Sequence, residues 1–306
     1  METKMSTVQQ MVDKKLIQPP KFLPGAVHYE TIMGSVAYGV SADTSDMDIY
    51  GFCVPPKDMV FPHLRGEIPG FGRQIQRFEQ WQQHGIDDKD ALGGKGRVYD
   101  FSIYSIVKYF QLCMENNPNM IDSLFTTQSC VLHCTQVGNL VRENRKLFLH
   151  KGAWHKFKGY AYSQVSRMNS KQPPEGKRRE LVEEFGYDVK YAYHVVRLLD
   201  EVEQILTEGD IDLQRNREQL KSIRRGEWTQ TEVVEYFGRR EKELETLYTT
   251  SKLPHSPDEG KIRQLLIDCL EHHYGSLADA IVDVDAAAQA LRDIQVILDR
   301  AGARGA

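Results

Sequence analysis

No stretch of the chain approaches the roughly 18 consecutive apolar residues of a membrane-spanning helix, so a transmembrane reading is excluded. The opening METKMSTVQQMVDKKLIQPP lacks the apolar core of a secretory signal, and the expected location is the cytoplasm. Cysteine is sparse and odd in number: Cys53, Cys113, Cys130, Cys134 and Cys269 cannot all pair, which argues against a disulfide framework. Cys130-x-x-His133-Cys134 lacks a usual zinc spacing and has no second ligand pair, so these are read as packing or surface residues. The Gly-x-x-x-x-Gly-Lys-Ser/Thr loop of NTPases is also missing. A net charge of −4 gives no global nucleic-acid signal, yet residues 142–190 carry twelve Lys/Arg against six Asp/Glu. Whole-chain charge hides that basic stretch.

With 41% hydrophobic and 27% charged residues, the 306-residue chain has the composition of a globular protein rather than a disordered one. Its first half reads as mixed α and β. Residues 27–33 have strand composition and end at Gly34, and residues 47–54 alternate polar with apolar until Pro55-Pro56. Between them there is room for a turn and about two helical turns. Residues 62–96, rich in Gly, Pro, Gln and charge, read as an irregular excursion with one short helix. Arg97–Phe101 reads as a third strand, followed by a helix placing Ile103, Ile106, Val107, Phe110 and Met114 on one side. Asn116-Asn117-Pro118-Asn119 breaks that helix and another starts at Met120.

After about residue 136 the pattern becomes helical. Trp154, Phe157, Ala161, Val165 and Met168 share a helix face; a linker at residues 171–174 leads to one long helix over residues 177–206. Thr229-x-x-Glu232 is a capping box, and Ser256-Pro257-Asp258-Glu259 starts the next helix. Ile281, Val284, Ala288, Leu291, Ile294 and Leu298 fit a last helix packing on the body or on another subunit, which leaves a dimer open. The expected division is a lead segment at 1–26, an α/β domain at 27–135 and an all-helical domain at 136–306.

The chemistry concentrates in Gly34-Ser35-Val36-Ala37-Tyr38-Gly39 followed, after six intervening residues, by Asp46-Met47-Asp48. Asp46 and Asp48, two apart on a strand, point to the same face, where both can reach a metal pair. Displacing pyrophosphate from a crowded α-phosphorus suits two divalent ions about 3.5–4 Å apart. Gly34 lets the chain turn sharply, Gly39 clears space for phosphate at backbone N–H groups, and Ser35 can donate its hydroxyl to a phosphate oxygen. The helix after the turn would add its positive end. Lys190, His194 and Arg197, with Tyr187 a turn earlier, form one helix face that either meets the triphosphate or is simply exposed and basic. Lys151, Lys156 and Lys158, interleaved with Trp154, Phe157, Tyr160 and Tyr162, either serve an RNA strand or belong to a helical core.

The glycine turn with Asp-x-Asp resembles the nucleotidyltransferase superfamily that includes DNA polymerase β. More closely, Gly34-Ser35-x-Ala37-Tyr38-Gly39, Ser45-Asp46-x-Asp48 and Gly51 look like the RNA-ligase-associated nucleotidyltransferase family of phages and bacteria. The likeness continues through Lys108-Tyr109-Phe110, Asn117-Pro118-Asn119, Leu124-Phe125, residues 194–199 and Arg225-Gly226-Glu227-Trp228. It implies a polymerase-β-like α/β domain with a short mixed sheet, then an all-helical domain completing a nucleotide cleft. It implies Mg²⁺, or Mn²⁺, on Asp46, Asp48 and a third carboxylate, for which Asp100 is the best match; Asp100 read alone also suits a helix N-cap. Asp43 reads as a turn or cap residue. Substrate contacts implied by the likeness fall on Gly34, Ser35, Tyr38, Gly39, Ser45, Lys190, His194 and Arg197. The expected reaction is transfer of a nucleotidyl group from an NTP such as ATP to an acceptor hydroxyl at an RNA end, as in RNA repair. A protein or small-molecule acceptor, or an inactive nucleotide-binding module, are the competing readings.

Overall fold

Alternating burial along the strands sorts their side chains into two cores, one on each face of a sheet. The structure, a computed structural model, describes residues 4–41, 46–72, 74, 77–170, 177–275 and 294. Strands β1 (Val27–Ile32), β2 (Met47–Cys53), β3 (Gln80–Asp88), β4 (Arg97–Ser105) and β5 (Val131–Cys134) form one sheet in the order β3-β4-β2-β1-β5. β2 and β4 are parallel and the other neighbours antiparallel.

On the outer face, Ile49, Cys53, Phe101 and Ile103 pack against Val8, Met11, Ile17 and Leu23 of the N-terminal segment. That segment is fixed by its first helix, α1 (Thr7–Asp13), whose free N–H groups at Thr7 and Val8 donate to the buried Glu30 carboxylate of β1. On the inner face, Tyr29, Phe52 and Tyr104 open a core that runs through Tyr109, Ile121 and Leu124 into the helical part.

The helices of this body are α2 (Gly34–Ala37), α3 (Ile106–Met114), α4 (Pro118–Phe125), α5 (Gln136–Glu143), α6 (Ala153–Met168), α7 (Lys177–Phe185), α8 (Val189–Glu208), α9 (Arg217–Arg224), α10 (Gln230–Thr250) and α11 (Glu259–Tyr274). Short turns of helix at Leu23–Ala26, Lys57–Val60 and Ala91–Gly94 complete the α-helical elements among the described residues. A mixed five-stranded sheet with helices is thus followed by a mostly helical part, the polymerase-β-like arrangement.

Several sequence expectations are corrected. β4 runs to Ser105, so Ile103 lies in a strand and Ser105 caps α3 by accepting from Lys108 N–H. Residues 80–88 are a strand, not part of an irregular excursion, and Val131–Cys134 adds an edge strand close to the point where strand signals fade. His133 of that strand bonds Lys4 O and Val27 O with its two ring nitrogens. The long helix expected over 177–206 is two helices. The chain breaks at Gly186-Tyr187, and Asp188 caps α8 by accepting from Lys190 N–H. The Thr229–Glu232 capping box is present, whereas the cap of α11 is Asp258, two residues later than Ser256. The 171–174 linker and the expected last helix lie outside the described residues, apart from Ile294. Among the described residues no helix is long and apolar enough to cross a membrane.

α11 returns to the sheet through a histidine pair. His28 Nε2 lies 2.8 Å from His273 Nδ1, and His28 Nδ1 lies 2.7 Å from Thr135 Oγ1. Burial, then the neighbouring His273, His133 and His272, push His28 down to about 3. A histidine depressed in the fold contributes stability above its unfolded pKa of ~6.5, and that contribution is lost as pH falls toward the folded value. Urea midpoints at pH 7 and pH 4.5 are therefore expected to differ more for the wild type than for His28→Gln. Equal pH dependence in the two proteins would refute this role.

Candidate active site

The parallel pairing of β2 with β4 sets Asp48 directly opposite Asp100. Asp46, just ahead of β2, acts on Asp48 through its charge. Gly34 closes the third side. It turns with φ +65°, and a Cβ built on it would lie 2.1 Å from Asp48 Oδ2. The next strand joins through Met33 N–H, which donates to Asp48 O at 2.7 Å. The glycine turn and the carboxylates therefore meet in space. Gly34→Ala is expected to cost about 1–2 kcal/mol for the left-handed backbone alone and to displace the Asp48 carboxylate. Thermal melts and turnover should both fall; a variant with wild-type values in both would show that the contact is slack.

Crowding leaves its mark on Asp48. Burial first, then the charges of Asp100 and Asp46, push its carboxyl up to about 6, against an opposing pull from His84 and Lys190. Asp100 is held from the other side by β3. Between Gln83 and Ile86 that strand slips register, Gly85 adopts φ +68°, and its N–H donates to Asp100 Oδ1 at 2.7 Å. His84 Nδ1 stands 3.7 Å from the same oxygen. Asp100 is thus mid-strand and not a helix cap.

Opposite these acids stands a cationic group carried by the helical part. Lys190 lies at the start of α8, its pKa lowered by burial and by Arg178 and Arg224, with Asp188 and Asp46 opposing. Arg178 stacks over the Tyr191 ring at 4.2 Å and pairs with Asp188 at 3.2 Å. Arg224 donates to Val40 O at 2.6 Å, on the far side of the glycine turn. Gln214 Nε2 donates to Ala37 O at 3.2 Å, so the turn is tied to the helical part twice. Sequence reasoning missed Arg178 and Arg224 as members of this group. Arg178 sits in the basic run Lys177-Arg178-Arg179, and Arg224 adjoins the Arg225-Gly226-Glu227-Trp228 likeness without being part of it.

Not every expected site residue joins the group. His194 is half-buried; burial, then Arg197, Arg178, Lys190 and Arg224, hold its pKa well below the ordinary value, so it offers a neutral ring rather than a charge. Arg197 is 5% exposed and engaged with Asp122 and with both oxygens of Glu201, at 3.0 and 2.9 Å. Tyr38 is 2% exposed, donates to Asp122 Oδ2 at 2.8 Å, and lies with its ring 4.3 Å from the Arg197 guanidinium. Both side chains belong to a buried link between the glycine turn and α8. Gly39 faces the side chains of Arg217 and Gln214, not open space for a phosphate. α2 is a single turn of four residues, shorter than expected, so anion binding there depends on individual N–H groups rather than a helix dipole. Ser35 is half-buried in that turn. Ser45 and Asp43 lie outside the described residues.

The aromatic and basic stretch of α6 is resolved in the same way. Trp154 and Phe157 are fully buried, Lys156 pairs with Glu115 and Lys158 with Glu241. Trp154 and Phe157 belong to the core, and the two lysines to surface ion pairs. Tyr160, 38% exposed, and Tyr162 stay on the surface.

A divalent ion fits the carboxylate end on one observation: three acids crowd a partly buried position without a cation close enough to keep Asp48 at its ordinary pKa. Among the described residues no three His, Cys, Asp or Glu side chains form a ready coordination shell. Mg²⁺ tolerates that, because it keeps several waters and takes one or two carboxylates plus substrate phosphates.

None of the curated proteins compared with the chain matches it. A family model does, across most of the described structure, and it spans the glycine turn, all three carboxylates and the cationic helix. By that match over residues 6–268, the chain belongs to the RNA repair pathway DNA polymerase beta family, a family of polymerase-β-like nucleotidyltransferases.

Proposed function

We propose that the protein transfers a nucleoside monophosphate from an NTP to a hydroxyl group at an RNA end, with Asp46, Asp48 and Asp100 as the metal-holding acids. The observation that carries this reading is the opposition of Asp48 and Asp100 across two parallel strands, with Gly34 pressed against Asp48. Family membership supports an NTP as substrate, and the RNA repair connection of the family supports RNA as acceptor.

The triphosphate lies against the glycine turn, where Ser35 and backbone N–H groups donate to its oxygens. Lys190, with Arg178 and Arg224 beside it, balances the charge of the leaving pyrophosphate. His194 contributes hydrogen bonding as a neutral ring. Mg²⁺, or Mn²⁺ in its place, would be held by Asp46, Asp48 and Asp100 and supplies charge stabilisation of the attacking and leaving oxygens. The acceptor oxygen forms its bond to the α-phosphorus as the bond from that phosphorus to the bridging oxygen breaks. Pyrophosphate leaves, and the hydroxyl proton passes to Asp100 and then to water. Gly85 N–H holds one oxygen of the Asp100 carboxylate in place.

Incubation with each labelled NTP, Mg²⁺ or Mn²⁺, and total cellular RNA or protein tests the reading. Label on RNA supports it. Label confined to protein or to small molecules transfers the acceptor to another class, and NTP binding with no pyrophosphate release over any acceptor would leave a nucleotide-binding module. Lys190→Ala is expected to weaken NTP binding about tenfold, the loss of one charge-assisted contact. Titration calorimetry with a non-hydrolysable NTP measures it, and unchanged affinity would remove Lys190 from the phosphate role.

A further inference from the structure

A cleft of about 660 Å³ opens at the end of β3 that lies away from the carboxylates. Gln80 on its rim pairs with Tyr104, four residues along β4 from Asp100, about 13 Å at the usual rise per residue. The walls come from segments far apart in the chain: Phe22 ahead of β1, Met59 and Pro62 beyond β2, and Phe78 leading into β3. Phe22 and Phe78 are half-buried and meet edge to face, their ring centroids 5.1 Å apart. Nothing in the transfer chemistry uses this space.

Its charged groups are mostly engaged within the protein. Lys108 Nζ stands 3.5 Å from Glu79 Oε2 and 3.3 Å from Gln111 Oε1, and Asp58 has a partner of its own. Two groups are left over. Glu67 has a buried carboxylate oxygen, Oε2, with no hydrogen-bond partner among the described residues. Arg77 is exposed and makes no hydrogen bond or ion pair among the described residues. A buried acceptor without a donor is costly, so it marks a place where a ligand N–H gains most. An unpaired guanidinium in the same cleft suits a phosphate. The aromatic and apolar walls take a flat ring. A free amino acid would satisfy both charges and leave most of the cleft empty; a nucleotide fills it.

Among the RNA bases guanine alone sets two N–H donors side by side on its pairing edge, the arrangement a carboxylate accepts. We infer that this cleft is a second nucleotide site, binding a guanine nucleotide with its base on Glu67 and its phosphate on Arg77. It is separate from the triphosphate position at the glycine turn and does not depend on the transfer reading. Free GMP and a guanylate at the 5′ end of a strand offer the same chemistry.

The test is titration calorimetry of the full chain with 5′-GMP, in the presence of Mg²⁺ and a saturating non-hydrolysable ATP analogue. The analogue occupies the transfer site, so the expected result is one further equivalent of GMP bound. Glu67→Gln should weaken GMP binding roughly tenfold, the loss of one charge-assisted hydrogen bond, and Arg77→Ala by a similar factor. Guanosine, which lacks the phosphate, should bind Arg77→Ala and wild type alike while losing affinity in Glu67→Gln. Both variants should bind the ATP analogue within about twofold of wild type, as expected of a site apart from it. A 5′-phosphorylated trinucleotide beginning with guanylate is the second arm: binding tighter than GMP assigns the cleft to a strand end, and weaker binding to the free nucleotide. Displacement of all GMP by the analogue, or unchanged GMP affinity in either variant, would overturn the site. Failure of the transfer reading looks different: the analogue itself would not bind, and the GMP titration would stand.

Discussion

Asp48→Asn should abolish most nucleotidyl transfer, a loss of at least ~10²-fold from removing a metal-holding charge, while the fold survives intact. The two halves of that expectation have one cause. Asp48 sits partly buried between Asp46 and Asp100, and this crowding raises its carboxyl to about 6. A carboxyl raised in the folded state is destabilising once ionised: the penalty sets in above the unfolded value of ~3.9 and is complete above about 6. The amide keeps the shape and removes the repulsion. At pH 7.5 without metal, the melting temperature of Asp48→Asn should equal or exceed that of the wild type. Added Mg²⁺ with NTP should raise the wild-type value and leave the variant nearly unmoved. Wild-type turnover in the variant would remove Asp48 from the chemistry, and a large drop in its metal-free melting temperature would mean that the carboxylate is structural.

The largest loss of stability is expected at Arg197→Met, about 3–5 kcal/mol for removing one partner of a buried ion pair. Arg197 lies between Asp122 and Glu201 with all three buried. Burial first, then the charge of Asp122, push the Glu201 carboxyl well above its ordinary range despite Arg197, and burial raises Asp122 as well. Without Arg197, Asp122 keeps the Tyr38 hydroxyl and has lost its counter-ion. Among the described residues Asp122 Oδ1 and Arg197 Nε are buried without a hydrogen-bond partner, so the set already stands at the edge of what it can satisfy. The double variant Arg197→Met/Asp122→Asn should recover part of the loss, because the charge of Asp122 is then no longer left unpaired. Urea denaturation of the three proteins measures both numbers. Equal stability of Arg197→Met and wild type would make the pair ornamental.

The strands of the candidate site are legible because their signals are local. Asp46 and Asp48 alternate with apolar residues between a glycine turn and a Pro-Pro stop, and that pattern admits few other readings. β3 was not legible. Gln80-Trp81-Gln82-Gln83-His84-Gly85 exposes Gln80, Gln82 and His84 on the open face of an edge strand and offers only Trp81 to the core, and its bulge at Gly85 breaks the alternation further. The consequence for the site was direct, since His84 and Gly85 are the residues that hold Asp100. Arg197 failed for a different reason. Its spacing from Lys190 and His194 is that of one helix face, but α8 is covered along most of its circumference, so a shared face near its start becomes a buried one two turns on. Periodicity reports which residues are neighbours; it does not report what lies above them. The partners of Arg197, at Asp122 and Tyr38, are 75 and 159 positions away, and no window along the chain contains them.

The ties that bind the glycine turn to the helical part constrain how the molecule can breathe. Ala37 O and Val40 O are gripped by Gln214 and Arg224, and Tyr38 is locked by Asp122 beside Arg197. A hinge that swung the helical half outward would tear every one of these contacts and bare a salt bridge to solvent. The two jaws are in effect a single casting, set at a fixed aperture. Under the proposed reaction, nucleotide and pyrophosphate would pass between the two halves without a clamshell swing.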